Sequence, residues 1–214
     1  MRGLPLAKEG LVFVVPALVL SLLFLALQLH VVSLICFFLF LSFTYFFRNP
    51  KRIGHSSAAE LLAPADGRVM GVEEMTEEEF LEGAVMRVST FMGLADVHVN
   101  RAPCDGVVSR IRHKSGRYGL AFKKDVDREN ERNYILLEKG DEKLLVVQIA
   151  GFLARRIHCW VRERDAVRKG DPLGIIAFGS RVDTYIPPGY EIMVQLGQKV
   201  KSGLTPLARK KGST

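Results

Sequence analysis

Between Gly174 and Asp183 the chain reads Gly-Ile-Ile-Ala-Phe-Gly-Ser-Arg-Val-Asp, an apolar run that stops at Gly179-Ser180 and passes at once into charge. By composition this is a strand ending in a common turn dipeptide. Its chemical interest is the serine, a weak nucleophile until a neighbouring base takes its proton. A second candidate group is cationic: Arg155 and Arg156, then Trp160 followed by Arg162, Arg164 and Arg168. Arginines with an aromatic suit a lipid phosphate and an anionic membrane surface. They also occur on nucleic-acid-binding faces, a reading that a membrane tether disfavours. The cysteines Cys36, Cys104 and Cys159 are odd in number and widely spaced. They suit reduced thiols and give no zinc spacing, so no metal site is implied.

The elements that must carry these residues fall into two kinds. From Leu11 to Phe47 there is no Asp, Glu, Lys or Arg. One membrane crossing takes about 20 apolar residues, so this run is close to twice what a single span needs. It predicts a transmembrane helical hairpin, two short helices over about 11–28 and 31–47, turning near Gln28, His30 and Ser33. A secretory signal is a competing reading that fits less well, since its apolar region is only about 7–15 residues long, and a single long tilted or interfacial helix is the other alternative. Arg2 and Lys8 before the run, and Arg48, Lys51 and Arg52 after it, place both ends on the cytoplasmic face of the cell membrane. The formal charge of +7 then reads as attraction to anionic lipid.

Residues 48–60 hold Asn49-Pro50, Gly54 and Ser56-Ser57 and read as a juxtamembrane linker. From 61 to 214 short runs of Val, Ile, Leu and Phe alternate with Gly, Pro and Asp turns, the pattern of strands. Expected strands are Gly67–Val72, Val85–Ser89, Gly106–Arg112, Asn133–Lys139, Lys143–Ile149, Cys159–Val161, Gly174–Phe178 and Glu191–Gln195. Outside the apolar run, helical periodicity is weak, with Thr76–Leu81 the one further stretch that suggests a helix. The pattern Ala-Pro-x-Asp-Gly-x-Val occurs twice, at 63–69 and 102–108, and Arg168–Gly174 holds a related Gly-Asp turn. Asp-Gly supplies the conformation of a tight corner. Such turns feeding such strands predict a mostly β fold, a lipoyl-like, barrel-sandwich core of antiparallel strands.

Phe178-Gly179-Ser180-Arg181-Val182-Asp183 resembles the self-cleavage motif of the short phosphatidylserine decarboxylases. Pro64-Ala65-Asp66-Gly67, Val97-His98-Val99-Asn100-Arg101-Ala102-Pro103, Gln148-Ile149-Ala150-Gly151, Ala154-Arg155-Arg156-Ile157 and Gly170-Asp171 follow in that family's order, as does the apolar hairpin. The resemblance covers nearly the whole chain.

It implies that Ser180 Oγ attacks the Gly179 carbonyl and that the resulting ester eliminates. A 1–179 β chain and a 180–214 α chain would remain, with Ser180 converted to a pyruvoyl group. That covalent pyruvate would form a Schiff base with the serine of a phospholipid and accept electrons as carbon dioxide leaves, giving the ethanolamine lipid. No separate cofactor is needed. The resemblance also implies His98 as base or acid and Asp66 as its carboxylate, with Arg101, Arg155 and Arg156 binding substrate. The longer relatives have a second histidine, linked to self-cleavage, where this chain has Arg101. A guanidinium cannot act as a base, so His98, His113 or His158 must activate Ser180. Implied partners are the serine phospholipid, phosphatidylserine or archaetidylserine, the anionic membrane surface, and a multimer of the paired chains, with no nucleic acid. Two other readings are a pyruvoyl decarboxylase of a soluble amino acid and a membrane-tethered lipoyl-like carrier or binding module that is never cleaved.

Overall fold

In a computed structural model the chain is described over residues 5–52, 57–116, 130–151, 156–177 and 180–212. It forms two compact units, residues 1–51 and 52–214.

The first unit is an antiparallel helical hairpin. A 3-10 turn at Lys8–Gly10 leads into α1 (Leu11–Ala26), and α2 (His30–Phe46) returns. With its leading turn the first helix, Lys8–Ala26, is long and apolar enough to cross a membrane. The first expected span ran two residues further, to 28, and the second is displaced by one residue, because the chain reverses at Gln28 with a φ of 59°. Two serines fasten the helices. Ser21 Oγ donates to the Ser33 carbonyl at 3.1 Å, and Ser33 Oγ donates back to the Ser21 carbonyl at 2.8 Å. This leaves neither hydroxyl unpaired among apolar side chains. At the open end, Ala7 N–H donates to the Phe47 carbonyl and Asn49 N–H to the Pro5 carbonyl.

The second unit is mostly β. Its strands are β1 (Glu60–Leu62), β2 (Gly67–Glu77), β3 (Gly83–Met92), β4 (Val99–Arg101), β5 (Gly106–Lys114), β6 (Arg132–Lys139) and β7 (Glu142–Ala150). They continue with β8 (Ile157–Cys159), β9 (Ala166–Val167), β10 (Pro172–Ile176), β11 (Ser180–Ile186), β12 (Tyr190–Ile192), β13 (Lys199–Val200) and β14 (Pro206–Lys210). A curled antiparallel sheet runs β13-β2-β3-β11-β7-β6-β5-β9, and two three-stranded sheets run β4-β10-β8 and β1-β14-β12. The core lies where these sheets meet, with Val88, Val108, Ile135, Val146, Ile176, Val182 and Leu207 in one apolar cluster.

Thr76–Leu81 is not a helix. β2 continues to Glu77, and the Glu77 carboxylate accepts the N–H groups of Glu79, Phe80 and Leu81. Its acidic residues therefore close a hairpin turn. The strand expected at Gly174–Phe178 instead occupies Pro172–Ile176, and the charged stretch after it is itself a strand, β11, buried along its whole length. Being central in the large sheet, β11 is covered on both faces. Its Arg181 and Asp183 alternate onto one face and pair at 2.7 Å, both almost fully buried.

The two Ala-Pro-x-Asp-Gly corners are related by a local two-fold. Leu62 N–H donates to the Pro103 carbonyl, and Arg101 N–H donates to the Pro64 carbonyl. Gly203 N–H reaches the Ala63 carbonyl as Gly170 N–H reaches that of Ala102. Each aspartate then accepts a backbone N–H from the facing turn at 2.8 Å, Asp66 from Ser202 and Asp105 from Lys169. At both corners the glycine is required, since a Cβ on Gly67 would overlap the Phe91 carbonyl oxygen and one on Gly106 that of Glu138.

Candidate active site

Ser180 is the first residue of β11, paired with Met92 of β3 on one side and Ala150 of β7 on the other. The chain leaves the β4-β10-β8 sheet after Ile176 and enters the large sheet at Ser180. Gly179 lies outside the described residues. Ser180 is fully buried, and its Oγ donates to Met92 Sδ at 3.2 Å. A thioether is a weak acceptor, so it holds the hydroxyl in place without drawing off its proton.

His98, also fully buried, precedes β4, and its carbonyl accepts the N–H of Ile176 at the end of β10. Its Nδ1 lies 3.0 Å from the Asp96 carbonyl. A carbonyl can only accept, which assigns the ring proton to Nδ1 and leaves Nε2 as the basic nitrogen. Side chains two apart on an extended segment share a face. His98 therefore lies on the same side as Asn100, whose Nδ2 donates to the Met92 sulfur that also takes the Ser180 hydroxyl.

Val99 and Arg101 alternate to the other side of β4, where a separate charged cluster sits. Asp66 is gripped by Arg52, with Nη1 donating to Oδ1 at 2.5 Å and Nη2 to Oδ2 at 2.7 Å. Arg52 Nη1 also donates to the Ser202 carbonyl. Arg101 is buried, donates from Nη1 to the Gly170 carbonyl at 2.9 Å, and lies in the fields of Arg52, Asp66 and Asp171. Burial and Arg52 lower its affinity for a proton, against the two carboxylates. The structure thus places His98 on the side of its segment that carries Asn100, and brings Asp66 together with Arg52 and Arg101. The carboxylate of Asp66 is committed to Arg52 and Ser202, whereas the imidazole is held by the backbone at Asp96. Arg156 is exposed, just before β8. Arg155 lies outside the described residues. Sequence reasoning missed Arg52, Met92, Asn100, Asn133, Gln148 and Ser202. The available signal was polarity at inward-facing positions, Asn100 and Gln148 above all.

Burial pushes the Asp66 carboxyl up, but the Arg52 guanidinium and the Ser202 N–H outweigh it and hold it below the usual aspartate range. A carboxyl depressed in the fold adds stability above its unfolded value of about 3.9, and that stability is lost as pH falls toward the folded value. Asp66→Asn should therefore lose less stability than wild type when urea unfolding is repeated from pH 5 down to pH 2. Arg52→Met, which strands a buried carboxylate, is expected to cost about 3–5 kcal/mol at neutral pH. Asp105→Ala, at the equivalent corner, removes one hydrogen bond and should cost about 1 kcal/mol.

Among the described residues no group of three or more His, Cys, Asp or Glu could hold a metal ion. A family model described as phosphatidylserine decarboxylase matches residues 39–208. The chain is 40% identical over 206 residues to the phosphatidylserine decarboxylase proenzyme of Carboxydothermus hydrogenoformans, a match covering 96% of each chain. It is 37% identical over 207 residues, again 96% of each, to the protein of that name from Desulfotalea psychrophila. A third, from Syntrophus aciditrophicus, is 43% identical over 164 residues, covering 76% of this chain and 77% of the relative. With matches of that length and identity, the chain belongs to the phosphatidylserine decarboxylase family of enzymes.

Proposed function

We propose that the chain cuts itself between Gly179 and Ser180, turns Ser180 into a pyruvoyl group, and uses it to decarboxylate phosphatidylserine or archaetidylserine to the ethanolamine lipid. The reading rests on one observation: a serine at the head of the central strand, fully buried, with its hydroxyl parked on a thioether and a backbone-oriented histidine on the adjoining segment. His98 Nε2 is the base that takes the Ser180 proton once the hydroxyl leaves the sulfur. The relatives' name, proenzyme, agrees with processing.

The residues around position 180 suit the group. A pyruvoyl group keeps the three-carbon skeleton of the serine it replaces, and the side chains bonded to Ser180 and Met92 are an uncharged thioether and an amide. A pyruvoyl carbonyl supplies an electrophile for the substrate amine and a sink for the electrons released with carbon dioxide. His98, held to one tautomer, is the proton carrier for both the cleavage and the later protonation. Arg156, with Arg155, meets the lipid phosphate. Arg101 holds the Gly170 turn and reaches a substrate carboxylate only if that turn moves.

The hairpin, residues 1–47, anchors the protein where a diacyl substrate lies, residues 48–60 link it to the catalytic domain at 61–214, and that domain works on the cytoplasmic side as a multimer of cleaved pairs. The two-fold pair of Asp-Gly corners supports a lipoyl-like, barrel-sandwich description of the core.

Intact-mass analysis of the purified protein tests the proposal. Two fragments meeting at Gly179, the smaller one with a keto group reducible by borohydride and no free α-amine at its N-terminus, are expected. Carbon dioxide release from vesicles of phosphatidylserine, and none from free serine, completes the expectation. A single full-length chain after prolonged incubation in such vesicles would sink it in favour of an uncleaved binding module.

A further inference from the structure

A row of buried amides runs from the far side of the large sheet to Ser180, and cleavage chemistry as described above gives it no part. Asn133 on β6 donates from Nδ2 to Gln148 Oε1 at 2.9 Å. Gln148 on β7 donates from Nε2 to Asn100 Oδ1 at 2.8 Å. Asn100 on β4 donates from Nδ2 to Met92 Sδ at 3.5 Å, beside the Ser180 hydroxyl on the same sulfur. Asn100, Gln148 and Ser180 are fully buried, and Asn133 nearly so. Between the sheets the row passes Gly174 of β10, where a Cβ would lie 3.2 Å from Gln148 Nε2 and closer still to the His158 carbonyl.

Each amide in the row fixes the next. With its oxygen taken by Gln148, Asn100 turns its NH2 toward the Met92 sulfur that also takes the Ser180 hydroxyl. The bond it makes there is the weakest in the row, since a thioether repays an amide donor poorly. Buried amides are costly to leave half satisfied, so a strong donor aimed at a weak acceptor, next to a reacting atom, is an arrangement in need of a better acceptor.

We propose that Asn100 is the oxyanion donor of the self-cleavage step and that Gln148 and Asn133 are positioning residues that aim it. This rests on the cleavage reading above. As His98 takes the Oγ proton, Ser180 Oγ bonds to the preceding carbonyl carbon, and the carbonyl π electrons move onto its oxygen. Asn100 Nδ2–H bonds that charge in a site closed to water. Collapse of the oxyanion restores the carbonyl and breaks the C–N bond, and the departing nitrogen takes the proton. One such donor is worth roughly 10²–10³ in rate.

The test follows appearance of the two fragments by intact mass in the full-length protein. Asn100→Leu, close in size and without a donor, should cleave roughly 100-fold more slowly than wild type while melting as a folded protein. Gln148→Glu carries a signature that a merely structural role would not. Its ionised carboxylate accepts from both neighbours and turns the Asn100 oxygen toward Ser180. Its protonated form donates to Asn100 as glutamine does. The Gln148→Glu rate, taken as a ratio to wild type at each pH, should therefore rise at least tenfold as pH is lowered through the glutamate's titration. The titratable groups on the face that carries the row are Cys159 on β8, whose thiol burial pushes up, and His113 on β5, opposite Asn133 and beside the Glu131 carboxylate; the ratio to wild type removes their own contributions. Folded Asn100→Leu cleaving within threefold of wild type, or a Gln148→Glu ratio that stays flat with pH, overturns the proposal. Failure of wild type itself to cleave overturns the reading beneath it instead.

Discussion

Ser180→Ala is expected to remain one full-length chain under conditions in which wild type is fully processed, and its decarboxylation of phosphatidylserine should fall by more than roughly 10⁴-fold. The substitution removes a single oxygen whose hydrogen bond, among the described residues, is to a thioether, so the fold should survive it. Its melting temperature, measured against freshly made uncut wild type, should differ by no more than about 1 kcal/mol in equivalent stability. Cleavage of this variant at the same bond would remove Ser180 from the chemistry altogether. An uncut variant that kept activity would separate catalysis from processing and leave the pyruvoyl reading without support.

The second large effect belongs to His98. His98→Gln keeps most of the side-chain volume and an N–H donor for the Asp96 carbonyl but offers no base. Fragment appearance should slow by roughly 10²–10⁴-fold, the usual worth of a positioned general base. A folded His98→Gln protein that matured within threefold of wild type would shift the role to another histidine. Of the two alternatives, His158 sits on β8 opposite Ile175. His113 is half exposed on β5, with Nε2 3.4 Å from the Glu131 carboxylate.

How much of this could be read from the residues depends on the range of the interactions. The hairpin was legible because it is written in one uninterrupted apolar stretch, and the two Asp-Gly corners because a tight turn is chosen by its own dipeptide. β11 was not legible. Arg181 and Asp183 look like solvated loop, and only the fold shows that they neutralise each other at 2.7 Å inside the sheet. The amide row joins positions 133, 148, 100 and 92 across four strands, and no local pattern announces a partner that far away. The aspartate of the Pro-Ala-Asp-Gly turn shows a third kind of limit. The family resemblance implied it as a carboxylate for His98, and its hydrogen-bond partners are Arg52 and the Ser202 turn N–H. Arg101, where the resemblance implies a second histidine in the longer relatives, lies in the field of that same aspartate.

On the proposed cleavage, the central place of β11 has a consequence for the life of the protein after cutting. That strand pairs residue by residue with β3 and β7, and the chain beyond it supplies β12, β13 and β14. Before the cut, folding is a first-order event in one molecule. Afterwards the same architecture could be regained only by two separate peptides finding each other, a second-order search whose yield falls with dilution. The finished enzyme would then persist because it is slow to come apart, and heating it once would be expected to destroy it for good, while the uncut precursor could be melted and recovered.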